Sequence, residues 1–153
     1  MLTVQTETLA TVIEQIEPLL RRHYLEICAH PDELVLDVNW QHYAMLEANG
    51  MLHLTTARDG LELVGYACCL YLCHPHYRQN VVAINDVIFV DPEYRARGVG
   101  VRVLDHMERA LAARGVEWLH MHVKCEHNFG PLLERRGYLL EEFNYVKRLK
   151  GTH

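Results

Sequence analysis

A chain of 153 residues, 50% hydrophobic and 23% charged, is long enough for one domain, expected over residues 1–153, and too apolar to remain disordered. No apolar run reaches the ~20 residues of a membrane span, and the first residues lack the basic start and apolar core of a signal peptide, so a cytoplasmic protein with no membrane partner is expected. Of the net charge of −5, residues 1–64 carry ten acids against three bases, which disfavours nucleic acid and suits a cationic partner, with a merely solvated surface as the alternative.

In chain order, Leu9, Val12, Ile13, Ile16, Leu19 and Leu20 form a helical stripe, which Pro18 is expected to kink or split near Glu17. Residues 39–48 suit a second helix ended by Asn49-Gly50. Residues 51–58 and 61–72 read as strands joined by an Asp59-Gly60 turn, and residues 81–90 as a third strand. After Asp91-Pro92 a glycine-spaced turn leads into a helix with Val99, Val103, Leu104, Met107 and Leu111 on one face and Gly115 at its end. A strand over 116–123, a short helix over 128–136 ended by Gly137, and one or two strands over 138–149 complete the series. This order predicts a mixed α/β (α+β) sheet with helices on both faces.

Five cysteines, Cys28, Cys68, Cys69, Cys73 and Cys125, are odd in number and mostly lie in apolar runs. They read as reduced core residues, and no His, Asp or Glu stands at a recognisable spacing to make one a nucleophile. His74 and His76, and His120 and His122 followed by Cys125 and His127, fit no established zinc pattern, so no metal is expected.

The chemistry concentrates where the apolar strand ending Val87-Ile88-Phe89-Val90 runs through Asp91-Pro92-Glu93-Tyr94 into Arg95-Ala96-Arg97-Gly98-Val99-Gly100-Val101. Two glycines let the backbone approach a ligand, and the helix start adds unpaired N–H donors and a positive dipole end, which together suit a pyrophosphate. Val103 breaks the dinucleotide pattern GxGxxG, and no Gly-Lys-Ser/Thr follows as in a nucleotide-triphosphate loop.

The run Arg95-Ala96-Arg97-Gly98-Val99-Gly100 matches Arg/Gln-x-x-Gly-x-Gly/Ala, and Leu132-Leu133-Glu134-Arg135-Arg136-Gly137-Tyr138 looks like Leu-Tyr-Glu-Lys-x-Gly-Phe. With these motifs the chain resembles the GNAT superfamily of N-acetyltransferases, and residues 123–135 are similar to small members often encoded in phages and prophages. The resemblance implies a mixed, mostly antiparallel sheet of six to seven strands, splayed between its two central parallel strands. It implies acetyl-CoA as co-substrate, its pyrophosphate on the N–H groups of Arg97, Gly98, Val99, Gly100 and Val101, with Arg95 opening the motif. Phe89 and Val90 would pair with the pantetheine arm.

Asp86 stands where members often carry a carboxylate that deprotonates the amine, directly or through water. Asn85 and Asp86 interrupt an apolar strand, so Asp86 is either buried as a functional base or reaches solvent at a splayed edge. His122 could relay protons beside it, against the commoner reading of an exposed or hydrogen-bonded histidine. The family's acid, a Tyr, falls at Leu133, and its Asn falls at Glu126, with Asn128 two residues on as the cofactor contact. The implied reaction is acetyl transfer to a primary amine of a small molecule or protein by direct attack in a ternary complex, with a homodimer open. A non-catalytic CoA-binding or protein-interaction module is the alternative.

Overall fold

The computed structural model describes residues 1–150, which form two compact units, residues 1–122 and the described residues from 123 on. The first unit holds β1 (Leu2–Thr6), α1 (Leu9–Ile27), α2 (Trp40–Ala48), β2 (Leu52–Asp59), β3 (Glu62–Leu72), β4 (Val82–Val90), α3 (Pro92–Arg95), α4 (Val99–Ala113) and β5 (Trp118–His120). The sheet runs β1-β2-β3-β4-β5, antiparallel except for the parallel pair β4–β5. Among the described residues it has five strands, which corrects the expected six to seven.

Hydrophobic periodicity explains both faces. Val12 and Ile16 of α1 pack with Leu52, Leu54, Leu63, Tyr66, Cys68 and Phe89 of the sheet, and Trp40, Tyr43 and Leu46 of α2 join that cluster. Alternate strand residues serve α4, whose Val99, Val103, Leu104, Met107 and Leu111 are buried; Cys69 Sγ lies 3.4 Å from Met107 Sδ. α1 is continuous over its 19 residues, so the expected split at Pro18 does not occur. Pro18 and Glu14 are both exposed, so the proline ring faces solvent and water can reach the carbonyl it leaves unbonded. The helix start is capped from α2: Glu47 Oε1 accepts the Leu9 N–H at 2.7 Å.

β1 was not legible as a strand, and a polar network holds it. Arg58 Nε donates to Glu7 Oε2 at 2.8 Å, Thr56 Oγ1 donates to the same oxygen at 2.5 Å, and Arg58 also reaches Gln15 Oε1 at 2.6 Å and the Leu61 carbonyl at 2.8 Å. The β2–β3 turn forms as expected, with Gly60 at φ +62°.

The second unit contains a 3-10 turn at Cys125–His127 and α5 (Gly130–Arg135). Residues 138–149, expected as one or two strands, have no regular structure, and Leu139, Leu140, Phe143, Tyr145, Val146 and Leu149 are exposed. A run of β-prone residues becomes a strand only where a neighbouring edge supplies ladder bonds.

Candidate active site

β4 changes character at its middle. Cys68 faces Val87 while Cys69 faces Asn85, so Asp86 is the extra residue of a β-bulge. The parallel ladder with β5 stops at Ile84 opposite His120. Beyond it the amide of buried Asn85 takes over: its Oδ1 accepts the His122 N–H, and its Nδ2 donates to the His122 carbonyl at 3.3 Å. Past Ile84 a side chain and not the backbone makes the connection, and β5 ends at His120 instead of continuing to the expected residue 123. The backbone pairing of the two central parallel strands ends here.

Past the bulge, the outer edge of β4 is open. The Asp91 N–H donates to the Val64 carbonyl at 2.9 Å, so antiparallel alternation turns the backbone groups of Phe89 and Val87 toward β3. Those of Ile88 and Val90 face the open side. The Val90 carbonyl accepts from Arg95 Nε at 2.8 Å, which leaves the Val90 N–H and both Ile88 groups without a partner among the described residues. Of the two residues expected to pair with pantetheine, Val90 presents its backbone outward and Phe89 presents it to β3, while Ile88 is the outward residue that no sequence signal marked.

The turn into α4 supplies a second set of donors. Gly98, at φ +71°, is the N-cap of α4 and its C=O accepts from the Arg102 N–H at 3.2 Å. The N–H groups of Val99, Gly100 and Val101 have no acceptor among the described residues, whereas Arg97 and Gly98 donate to the carbonyls of Tyr94 and Arg95 at 3.1 and 3.3 Å. A Cβ on Gly100 would meet nothing closer than Val90 Cγ2 at 4.0 Å. Glycine in a helix costs about 1 kcal/mol relative to alanine. The protein's own packing does not require it here, so the open space fits a ligand brought close to the backbone. These donors, a helix N-terminus and cleared space are what a pyrophosphate needs.

The flanking arginines are otherwise engaged. Besides bonding the Val90 carbonyl, Arg95 reaches Glu26 Oε2 of α1 at 2.7 Å, with its guanidinium 5.5 Å from the Phe89 ring centre. Arg97 stays exposed, 4.8 Å over the Tyr94 ring and 3.9 Å from Asp59 Oδ2. Asp91 caps α3 through the Glu93 N–H at 3.2 Å and pairs with Arg22.

Asp86 is exposed, which answers the choice left open by the sequence in favour of a side chain reaching solvent at the bulge. Its Oδ2 accepts from the Tyr43 hydroxyl of α2. Burial, followed by that bond and the carboxylate charge, pushes the Tyr43 phenol above its usual pKa, so it remains a donor. No hydrogen bond or ion pair joins the side chains of Asp86 and His122 among the described residues; His122 is bound through its backbone and its ring is exposed.

In the second unit, Asn128 Oδ1 accepts the Gly130 N–H at 2.8 Å, and Leu133 is buried. Cys68 and Cys69 are buried, with burial first and the Asp86 charge second raising both thiols, that of Cys69 to about 12. Such thiols are inert at neutral pH. Cys73 and Cys125 are exposed and Cys28 is half-buried, so core packing accounts for two of the five cysteines. Among the described residues no three His, Cys, Asp or Glu side chains gather as metal ligands, and no helix is long and apolar enough to cross a membrane.

Asn85 was visible in the sequence as a polar break in an apolar strand; its bond to His122 was not. Tyr43 carried no signal, because a tyrosine on a half-buried helix face reads as packing.

Solved structures share this fold across nearly the whole chain. An aminoglycoside acetyltransferase, meta-AAC0020, from an uncultured soil metagenomic sample, crystallised in complex with sisomicin, aligns over 97% of each chain at 14% identity and TM-score 0.73. The ribosomal-protein-alanine N-acetyltransferase of Brucella melitensis biovar Abortus 2308 aligns over 98% of this chain and 100% of its own at 18% identity and TM-score 0.72. A predicted acetyltransferase of Clostridium acetobutylicum, crystallised with acetyl-CoA, aligns over 100% of both chains at 12% identity and TM-score 0.75. No curated protein matches the chain in sequence. The acetyltransferase (GNAT) family profile matches residues 13–138, which span most of α1, the bulged strand, the open donors and α5. The chain therefore belongs to the GNAT family of N-acetyltransferases, and the acetyl donor it uses is acetyl-CoA.

Proposed function

We propose that the protein transfers the acetyl group of acetyl-CoA to a primary amine by direct attack in a ternary complex. The observation that carries this reading is the continuity, within residues 1–122, of the unpartnered groups of Ile88 and Val90 with the unpartnered N–H groups of Val99, Gly100 and Val101. Acetyl-CoA, when bound, supplies an electrophilic thioester. The N–H groups at the start of α4, with Arg97 and Gly98 beside them, would hold its pyrophosphate. The open edge of β4 at Ile88 and Val90, following on from Phe89, would pair with its pantetheine arm, and Asn128 would be a further contact.

Asp86, two residues before Ile88, would take the proton of the attacking ammonium directly or through a water. His122, whose backbone is held by Asn85, would relay that proton. With Leu133 at the family's acid position, the leaving thiol, of pKa near 8.5, can take its proton from solvent.

The acceptor is a cationic amine, either a small molecule or a protein amine. The acidic residues of 1–64 support that class, as does the lack of any cation paired with Asp86 among the described residues. The neighbours named as aminoglycoside and ribosomal-protein-alanine acetyltransferases supply both kinds of acceptor for comparison. The same reading takes residues 1–153 as one catalytic domain of the small, phage-type kind, on the similarity of residues 123–135. The five free thiols favour the reducing cytoplasm.

Thiol release from acetyl-CoA tests the reading against a panel of a polyamine, an aminoglycoside and a peptide with a free N-terminal alanine. Turnover with at least one amine is expected, and Asp86→Asn should lower it while leaving acetyl-CoA affinity unchanged. The deficit should shrink at high pH, where the acceptor is already deprotonated. Tight acetyl-CoA binding without turnover on any amine would favour the non-catalytic module.

A further inference from the structure

We propose that Tyr43 is a positioning residue that holds the Asp86 carboxylate by one oxygen and leaves the other aimed outward for the acceptor ammonium. This rests on the reading of Asp86 as the base. An unpaired residue in a strand has no ladder to orient it, and Asp86, exposed at the bulge, would sample several rotamers in water.

The Tyr43 hydroxyl from α2 removes that freedom by donating to Oδ2, while Oδ1 has no partner among the described residues. The phenol is itself held in place. Its ring belongs to the apolar cluster and lies 6.0 Å from the Trp40 ring, and a small crevice beside it is lined by Leu20, Leu52, Leu54 and Val87. α2 is capped at its start by the Asn39 side chain accepting the His42 N–H at 3.0 Å and is tied to α1 near its end through Glu47.

The Asp86 charge acts on Tyr43 of α2 and on Tyr66, Cys68 and Cys69 of β3. Burial is the largest cause raising each of them, so all four are neutral at physiological pH. Among the described residues no cation forms an ion pair with Asp86, so its charge is available to a cationic amine. A phenol suits this role because it orients a carboxylate by one strong hydrogen bond without supplying a positive charge that would repel the ammonium.

The test uses the full chain and Tyr43→Phe, which keeps the packed ring and removes only the hydroxyl. With the best acceptor of the amine panel, Tyr43→Phe should lower kcat about tenfold, less than the ~10²–10⁴-fold cost of losing a general base, because the carboxylate is displaced and not removed. The acetyl-CoA Kd and the Tm should stay close to wild type. Adding Tyr43→Phe to Asp86→Asn should change kcat less than about twofold, because the hydroxyl acts only through the carboxylate. A crystal structure of Tyr43→Phe should show the Asp86 carboxylate displaced, and that measurement requires no acceptor.

An unmoved carboxylate, an unchanged kcat, or a full additional loss in the Asp86→Asn background would each overturn the proposal. If Asp86→Asn leaves turnover intact, the reading of Asp86 as base fails. If Asp86→Asn is impaired and Tyr43→Phe is not, only the positioning role fails.

Discussion

The side-chain amide of Asn85 bonds both the N–H and the carbonyl of His122, so β4 and the chain just past β5 are joined by a side chain and not by backbone. The three-residue parallel ladder ends one residue before Asn85, and the bulge at Asp86 follows one residue after it. One buried amide thus takes over where the backbone ladder of the parallel pair stops. The outward backbone groups of Ile88 and Val90 lie past the last pairing with β5, at Ile84.

Asn85→Ala removes both bonds and leaves two backbone groups of His122 to find water. The loss should be about 2–3 kcal/mol of stability, read by chemical denaturation. Amide exchange of His122 should accelerate in the same variant. Exchange at wild-type rate would show that the amide does not hold this junction.

Gly100→Asp separates the helix from its ligand. An acidic side chain in the first turn of α4 faces the positive dipole end, and no protein atom obstructs its Cβ, so the Tm should hold or rise. Acetyl-CoA affinity should fall at least about 100-fold by calorimetry, because the carboxylate meets the pyrophosphate. Unchanged affinity in the folded variant would remove Gly98–Val99–Gly100 from the cofactor site.

His53 makes stability depend on pH. It is 3% exposed on β2, with Nε2 2.9 Å from Thr55 Oγ1. Burial first, then the charges of Arg114 and His106, push its pKa down to about 4 from an ordinary 6.5. Between those values the unfolded chain binds the proton and the folded chain does not. The contribution is therefore complete above pH 6.5 and is lost as pH falls toward 4. It amounts to roughly 2–3 kcal/mol between about pH 7 and about pH 4.5. Denaturation at the two pH values should show a larger drop for wild type than for His53→Gln; equal drops would refute the assignment.

Arg58 and Glu7 form an ion pair whose side chains are 12% and 14% exposed. Burial alone would raise the Glu7 carboxyl, but the bonds from Arg58 and Thr56 hold it below the usual range. Arg58→Ala should cost about 2–3 kcal/mol at neutral pH, because it leaves a partly buried carboxylate without its cation. The cost should shrink at about pH 3, where Glu7 without its partner is protonated. A loss independent of pH would assign the effect to the bonds with Gln15 and Leu61 instead.

Local chemistry made much of this protein legible before folding. The α4 stripe, the Asp59-Gly60 turn, the helix ended by Asn49-Gly50 and the glycine-spaced start of α4 each depend on residues a few positions apart. Periodicity and turn propensity act over that range. The family motif from Arg95 to Gly100 was readable for the same reason: a helix start that binds an anion is built from one short run.

Pairing between distant segments was not legible. β1 exists because β2 offers it an edge and Arg58 reaches Glu7, 51 residues away in sequence. Residues 138–149 are rich in aromatic and aliphatic residues yet form no regular structure, since composition does not supply a partner strand. α1 passes through Pro18 because that position faces solvent, a fact about packing that composition cannot state. At the site, the sequence placed Asp86 in a strand. Only the tertiary structure made it the extra residue of a bulge, brought Tyr43 to its carboxylate, and set Asn85 against His122. Those contacts join residues 43 and 37 positions apart, a separation over which no local propensity acts.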